Sequence, residues 1–109
     1  MSLSKTAYDV FLKVKNGSAE ETIKYLSDLR WDVSQAVNRL GWTALHVAAY
    51  RGDLEIVKFL VGEGANVSTE NTSGYTASKL AEYKGHENVR HFLAVCTGEE
   101  AATGPIEAI

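Results

Sequence analysis

Residues 41–52, GWTALHVAAYRG, recur 33 positions further along the chain as residues 74–85, GYTASKLAEYKG, with no gap between the two copies. A unit of this length cannot bury a hydrophobic core on its own, so each copy must stack on a neighbour. The sequence therefore predicts a repeat array. Arrays of this kind present extended surfaces to their binding partners.

Each clear copy has the pattern of two helices joined by a tight turn. Thr43 can cap a helix N-terminus, and small apolar residues follow it at helical spacing. Gly52 suits the left-handed conformation of a helix end, and Asp53 can cap a second helix that is rich in large apolar residues. The polar segment 68–73 then leads to the next copy, and its composition predicts a finger-like turn.

A degenerate third copy precedes the two clear ones. Apolar residues at helical spacing occur over residues 10–14 and again over residues 18–29, with Gly17 between the two stretches. The whole pattern predicts an all-α solenoid of about three helix-loop-helix layers with finger-like connecting turns. The expected layers are residues 8–34, 38–70 and 71–95.

These layers predict one repeat domain over residues 1–96. Residues 97–109 have the composition of a flexible C-terminal tail. The last three residues, EAI, weakly resemble a peptide ligand of PDZ domains, which adds a strand to a sheet edge. A frayed end is the alternative interpretation of this tail.

Composition and charge exclude several classes of protein. The chain has 109 residues, of which 45% are hydrophobic and 23% charged, as in one ordinary globular domain. Its net charge of −3 argues against general binding to nucleic acid. Its apolar runs are too short to cross a membrane, and residues 1–7 lack the apolar centre of a signal peptide. The single cysteine, Cys96, favours the cytoplasm, with the nucleus as the alternative.

The central copy resembles the ankyrin repeat. The resemblance rests on residues 43–49, TALHVAA, on Gly52, on residues 55–60, EIVKFL, and on residues 64–67, GANV. It extends less tightly to the two flanking copies. It implies an L-shaped all-α stack that binds another protein. It also implies structural roles for eight residues of the repeat motif: Thr43, Leu45, His46, Ala48, Gly52, Gly64, Thr76 and Gly85.

The resemblance also indicates where the array ends. In the last copy, Ser78, Lys79 and Glu82 replace residues that are mainly apolar in the central copy. A terminal repeat needs a polar outer face, so we expect the last copy to be a cap. Lys13 and Glu20 give the first copy a similar polarity. We therefore expect a complete small array that is a monomer when free.

The sequence offers no set of residues for catalysis or metal binding. In the ankyrin family, the histidine that His46 matches bonds loop backbone, which implies a structural role here. His86 and His91 are five residues apart, which is poor spacing for a zinc site on one helix. Cys96 has no evident cationic neighbour, so a buried or inert thiol is expected. We predict a non-enzymatic protein without a cofactor or a metal.

Four aromatic residues occupy equivalent positions of the two clear copies. Trp42 and Tyr75 precede the first helix of each copy, and Tyr50 and Tyr83 lie near its end. The resemblance implies that both positions face the concave groove of the stack. The residues expected to border this aromatic stripe are Arg39, Arg51, Glu70 and Lys84. The aromatics are either anchors for a partner or props for the fingers, and the sequence leaves both interpretations open.

The predicted function is a protein–protein interaction module whose concave face binds a protein partner. One narrower alternative is a small stand-alone inhibitor of a kinase or of actin-capping protein. Another is the regulatory leader of a larger enzyme chain. Neither nucleic acid nor a membrane is expected as a partner.

Overall fold

The structure, a computed structural model, describes residues 5–97. Within that range the chain forms six α-helices, and its extended pairing is limited to an isolated bridge between Ala36 and Thr43. The helices are α1 (Lys5–Asn16), α2 (Ala19–Leu29), α3 (Ala44–Arg51), α4 (Leu54–Gly62), α5 (Ala77–Lys84) and α6 (Glu87–Thr97).

The six helices pair into three layers that stack in two rows. Helices α1, α3 and α5 pack side by side in an inner row, and α2, α4 and α6 form an outer row behind them. The predicted all-α solenoid is thus confirmed. Helix α6 ends at Thr97, and the rest of the predicted tail lies outside the described residues.

Side-chain caps begin four of the helices. Ser18, Thr43, Asp53 and Thr76 each accept a hydrogen bond from the backbone N–H three residues further on. These bonds satisfy donors that a helix N-terminus otherwise leaves without a partner. The caps therefore fix where the helices begin.

The two rows differ in the size of their buried side chains. In the inner row, alanines such as Ala48 and Ala81 are fully buried, which lets neighbouring helices approach closely. In the outer row, larger residues such as Ile56, Leu60 and Leu93 are fully buried and fill the space between layers. The core therefore runs the length of the stack as one continuous cluster. Within residues 5–97, no helix is long and apolar enough to span a membrane.

Candidate functional site

Two loops, the first finger (residues 35–42) and the second finger (residues 68–75), are shaped by equivalent asparagines. The side-chain oxygen of Asn38 accepts bonds from the N–H groups of Leu40 and Trp42, at 3.0 and 3.1 Å. Asn71 makes the same two contacts with Ser73 and Tyr75, at 2.9 and 3.0 Å. Each asparagine therefore folds its finger back so that the aromatic residue reaches the start of the next helix.

The fingers are also bonded to each other. The carbonyl of Leu40 accepts from the backbone N–H of Thr72 at 2.9 Å and from its hydroxyl at 3.0 Å. Leu40 itself stays 59% exposed. The contact fixes the spacing of the two finger tips and leaves an apolar side chain in solvent.

His46 connects α3, the inner helix of the central layer, to the second finger. Its Nδ1 accepts from the backbone N–H of Thr43 at 3.0 Å, so in the neutral ring the proton is on Nε2. That N–H donates to the carbonyl of Tyr75 at 3.0 Å. Burial lowers the pKa of His46, and hydrogen bonds to the carbonyls of Tyr75 and Thr69 oppose that effect. The geometry suits a neutral, structural imidazole.

His86 makes a similar connection between the second and third layers. Its Nε2 donates to the carbonyl of Tyr50 at 3.0 Å, at the end of α3. Its ring also lies against Gly52, where an added Cβ would stand 2.5 Å from the His86 Nδ1. The position of Tyr50 is thus fixed by a residue of the following layer.

A groove lies between the fingers and the inner-row helices α3 and α5. Its volume is about 540 Å³. A second pocket of about 240 Å³ shares Leu40, Trp42 and Tyr50 with it, so the two are adjacent. We call this combined surface the aromatic groove. All four aromatic residues named from the sequence line it: Trp42, Tyr50, Tyr75 and Tyr83.

The four aromatic side chains have different surroundings. The rings of Trp42 and Tyr50 meet edge to face with centroids 5.3 Å apart. Tyr75 and Tyr83 are 51% and 80% exposed. Among the described residues, the ring contacts found do not involve either of these two tyrosines. One pair of rings is therefore packed, and the other two are open to solvent.

The four charged residues named from the sequence do not form one border. The ammonium of Lys84 lies 4.9 Å from the centroid of the Tyr50 ring. Arg51 lines the smaller pocket, but its Nη1 donates to the carbonyl of Val14 at 2.9 Å and so joins α3 to the first layer. Arg39 and Glu70 line neither pocket.

Sequence reasoning did not identify several residues that line the groove. Leu40 and Leu80 add apolar surface, and Lys79 and Glu82 add charge. Leu40 precedes Gly41 at a finger tip, but single exposed leucines are common on protein surfaces, so the sequence gives no signal that this one lines a groove. For Lys79 and Glu82, the sequence indicates only the polar face of a capping repeat.

The structure offers little support for other chemistry. Within residues 5–97, no group of three or more His, Cys, Asp or Glu side chains could hold a metal ion. Cys96 is exposed, so of the two expected alternatives, a buried or an inert thiol, the structure leaves the inert one. Partial burial also raises the pKa of the Cys96 thiol, which disfavours the reactive thiolate.

Comparison with known proteins gives three informative similarities. The Notch-regulated ankyrin repeat-containing protein of Xenopus laevis is 35% identical over 83 residues, which are 73% of this chain and 72% of that protein. Ankyrin repeat and SAM domain-containing protein 6 of Rattus norvegicus is 36% identical over 77 residues, 68% of this chain and 9% of that protein. The NAD-capped RNA hydrolase NUDT12 of Macaca fascicularis is 41% identical over 58 residues, 53% of this chain and 13% of the hydrolase.

The second and third similarities thus cover only small parts of longer proteins. A family profile described as "Ankyrin repeats (3 copies)" matches residues 10–102. That range includes both fingers and nearly all of the three layers of the stack. The chain therefore belongs to the ankyrin repeat family, whose repeats generally mediate interactions between proteins and are typically non-enzymatic.

Proposed function

We propose that this chain is an interaction module that binds a protein partner through the aromatic groove on its concave face. The observation that carries the proposal is that four aromatic residues from two repeats line one groove. Aromatic side chains at the centre of a recessed patch supply much of the binding energy in protein interfaces. Trp42, Tyr50, Tyr75 and Tyr83 would be the anchors.

The surroundings of the rings favour anchors over props. Tyr83 is 80% exposed and has no ring contact among the described residues, so holding a finger in place does not explain it. Trp42 and Tyr50 pack against each other and are thereby fixed before a partner arrives. A preorganised surface loses little conformational entropy on binding.

The charged residues would contribute to specificity to different degrees. Lys84 touches the groove through Tyr50, so its charge acts at the anchor itself. Arg51 is engaged by the Val14 carbonyl, and we propose that it supports the groove as well as facing a partner. Arg39 and Glu70 lie outside the pockets, where charges act mainly on association rates.

The first experiment is affinity capture from cell extract with the wild-type chain and the variant Tyr50→Ala/Tyr83→Ala. The control variant Leu29→Ala/Val95→Ala removes exposed apolar surface from the outer-row helices α2 and α6, which line neither pocket of the groove. Circular dichroism must first show equal helix content for all three proteins. We expect a protein that the wild type and the control capture and that the groove variant loses by tenfold or more, roughly 1.4 kcal/mol or above.

Equal capture by all three proteins would contradict the proposal and would leave the aromatic residues with a structural role only. The two narrower functions, a stand-alone inhibitor and a regulatory part of a larger chain, would use the same surface. Capture therefore does not distinguish them, and each needs a further experiment. Adding the pure chain to a kinase or actin-capping assay tests inhibition. The partial matches to longer proteins keep open a regulatory role within a longer chain, in which case the captured protein would be a domain of that chain.

We further propose that the chain acts as a monomer in the cytoplasm or the nucleus, without a nucleic acid or membrane partner. One exposed free cysteine fits a reducing compartment. Light scattering coupled to gel filtration tests the monomer, and a dimer mass that disappears with Tyr50→Ala/Tyr83→Ala would assign the groove to self-association instead.

A further inference from the structure

The charges of this acidic protein are distributed unevenly around the groove. The chain has 14 acidic and 11 basic residues. Three basic residues, Lys15, Arg51 and Lys79, line the aromatic groove, and the ammonium of Lys84 lies over one of its rings. Among the described acidic residues, only Glu82 lines either pocket. The groove is therefore locally basic on a molecule whose net charge is negative.

Most of these cations are not neutralised by neighbouring carboxylates. Among the described residues, the ion pairs found do not include Lys15, Lys79 or Lys84. Lys15 and Lys84 instead lie over aromatic rings, at 5.6 and 4.9 Å. Arg51 faces Asp53 only at 3.9 Å. Their positive charge thus remains available to a bound partner.

The same groove concentrates the exposed apolar surface. Seven large hydrophobic side chains are exposed among the described residues. Four of them line the groove: Leu40, Tyr50, Tyr75 and Tyr83. An apolar surface with a basic edge is complementary to a chain that carries apolar residues between acidic ones.

We propose that the partner presents an acidic peptide segment whose aliphatic or aromatic side chains enter the aromatic groove. The apolar side chains would contact the four aromatic residues and Leu40. The carboxylates would approach Lys79 in the larger pocket, Lys84 over the Tyr50 ring, and Lys15 and Arg51 in the smaller pocket. This inference rests on the proposed function, because it names the chemistry of the partner that the groove binds.

The test is selection of random short peptides displayed on phage against the folded chain. We expect the enriched peptides to have net negative charge and at least two large apolar residues. Enrichment of neutral or basic peptides that still require Tyr50 and Tyr83 would overturn this inference and leave the proposed function standing. Enriched peptides that bind Tyr50→Ala/Tyr83→Ala as well as wild type, or no enrichment at all, would overturn both.

Charge reversal gives a second readout on a synthetic copy of the most enriched acidic peptide. Lys79→Glu/Lys84→Glu should weaken binding by roughly tenfold or more, because each glutamate would repel the peptide's carboxylates. The control Lys24→Glu/Lys58→Glu makes the same change in net charge on the outer-row helices α2 and α4. It should leave the affinity within about twofold, since exposed charges beyond a Debye length are screened. Equal weakening by both variants would assign the effect to net charge and contradict a specific basic groove.

Discussion

Gly52 meets a conformational and a steric requirement at one position. Its φ of 84° is left-handed, and an added Cβ would stand 2.5 Å from the ring of His86. We expect Gly52→Ala to lower the free energy of unfolding by about 2–3 kcal/mol, through backbone strain and displacement of the imidazole that bonds Tyr50. Urea denaturation followed by circular dichroism measures this loss.

Gly85→Ala is the matched control for the steric part. Gly85 ends the next inner helix with a φ of 80°, and an added Cβ would have no heavy atom within 4 Å. It should therefore lose only the conformational part, about 1–2 kcal/mol. An equal loss of unfolding free energy in the two variants would mean that His86 moves aside without cost. Its contact with Gly52 would then not contribute to stability.

His46 should make stability depend on pH. Burial lowers its pKa in the folded state below the ordinary value of 6.5. As the pH falls through the unfolded pKa, the unfolded chain binds a proton that the folded chain does not, so the free energy of unfolding decreases. Above that pH both states are neutral and the stability from this residue is complete.

The measurement is urea denaturation of the wild type and His46→Gln at pH values on both sides of the ordinary histidine pKa. The substituted glutamine side chain cannot titrate, and its amide can replace part of the bonding to the Thr43 amide or the Tyr75 carbonyl. We expect the variant to be less stable at neutral pH and to lose less stability on acidification than the wild type. Identical slopes for the two proteins in this range would assign the acid sensitivity to other groups.

At the scale of the elements, the helices were predictable because their signals are local. Caps such as Thr43 and Asp53 and the terminating Gly52 stand in the sequence beside the helices that they bound. In each copy, small residues lie on the inner helix and large residues on the outer helix. The helix pattern of one copy therefore predicts that of the other. The degenerate first copy is also recognisable from its two apolar stripes on either side of Gly17, and the structure adds Ser18 as the cap of α2.

The fingers and the groove were only partly predictable because their contacts are not local. The internal repeat placed Trp42 and Tyr75 at equivalent positions, and the stack brings both to one groove. The bond from Thr72 to the Leu40 carbonyl and the bond from Arg51 to the Val14 carbonyl each join different layers. No local pattern encodes such pairs. The sequence therefore indicates only a border residue at Arg51, although this side chain is also engaged in joining two layers.

At the scale of the whole molecule, the stability of each layer depends on its contacts with the neighbouring layers. The described residues extend 50 Å along the longest axis, and the inner and outer helices pack against those of the adjacent layers. Such an array is stabilised by the interfaces between its layers, and three layers are close to the minimum for independent folding. Loss of one interface should therefore weaken all three layers together.

The variant Leu93→Ala tests that coupling from the end of the array. Leu93 is fully buried in α6, so its truncation should cost about 2–5 kcal/mol. Trp31 lies among residues of the first and central layers, so its fluorescence, measured in a Trp42→Phe background, reports on the rest of the stack. We expect urea transitions by fluorescence and by far-ultraviolet circular dichroism to shift together to lower urea, while Val95→Ala, an exposed change in the same helix, shifts neither by much. A fluorescence transition that stays in place while the circular dichroism signal moves would show that the last layer unfolds separately.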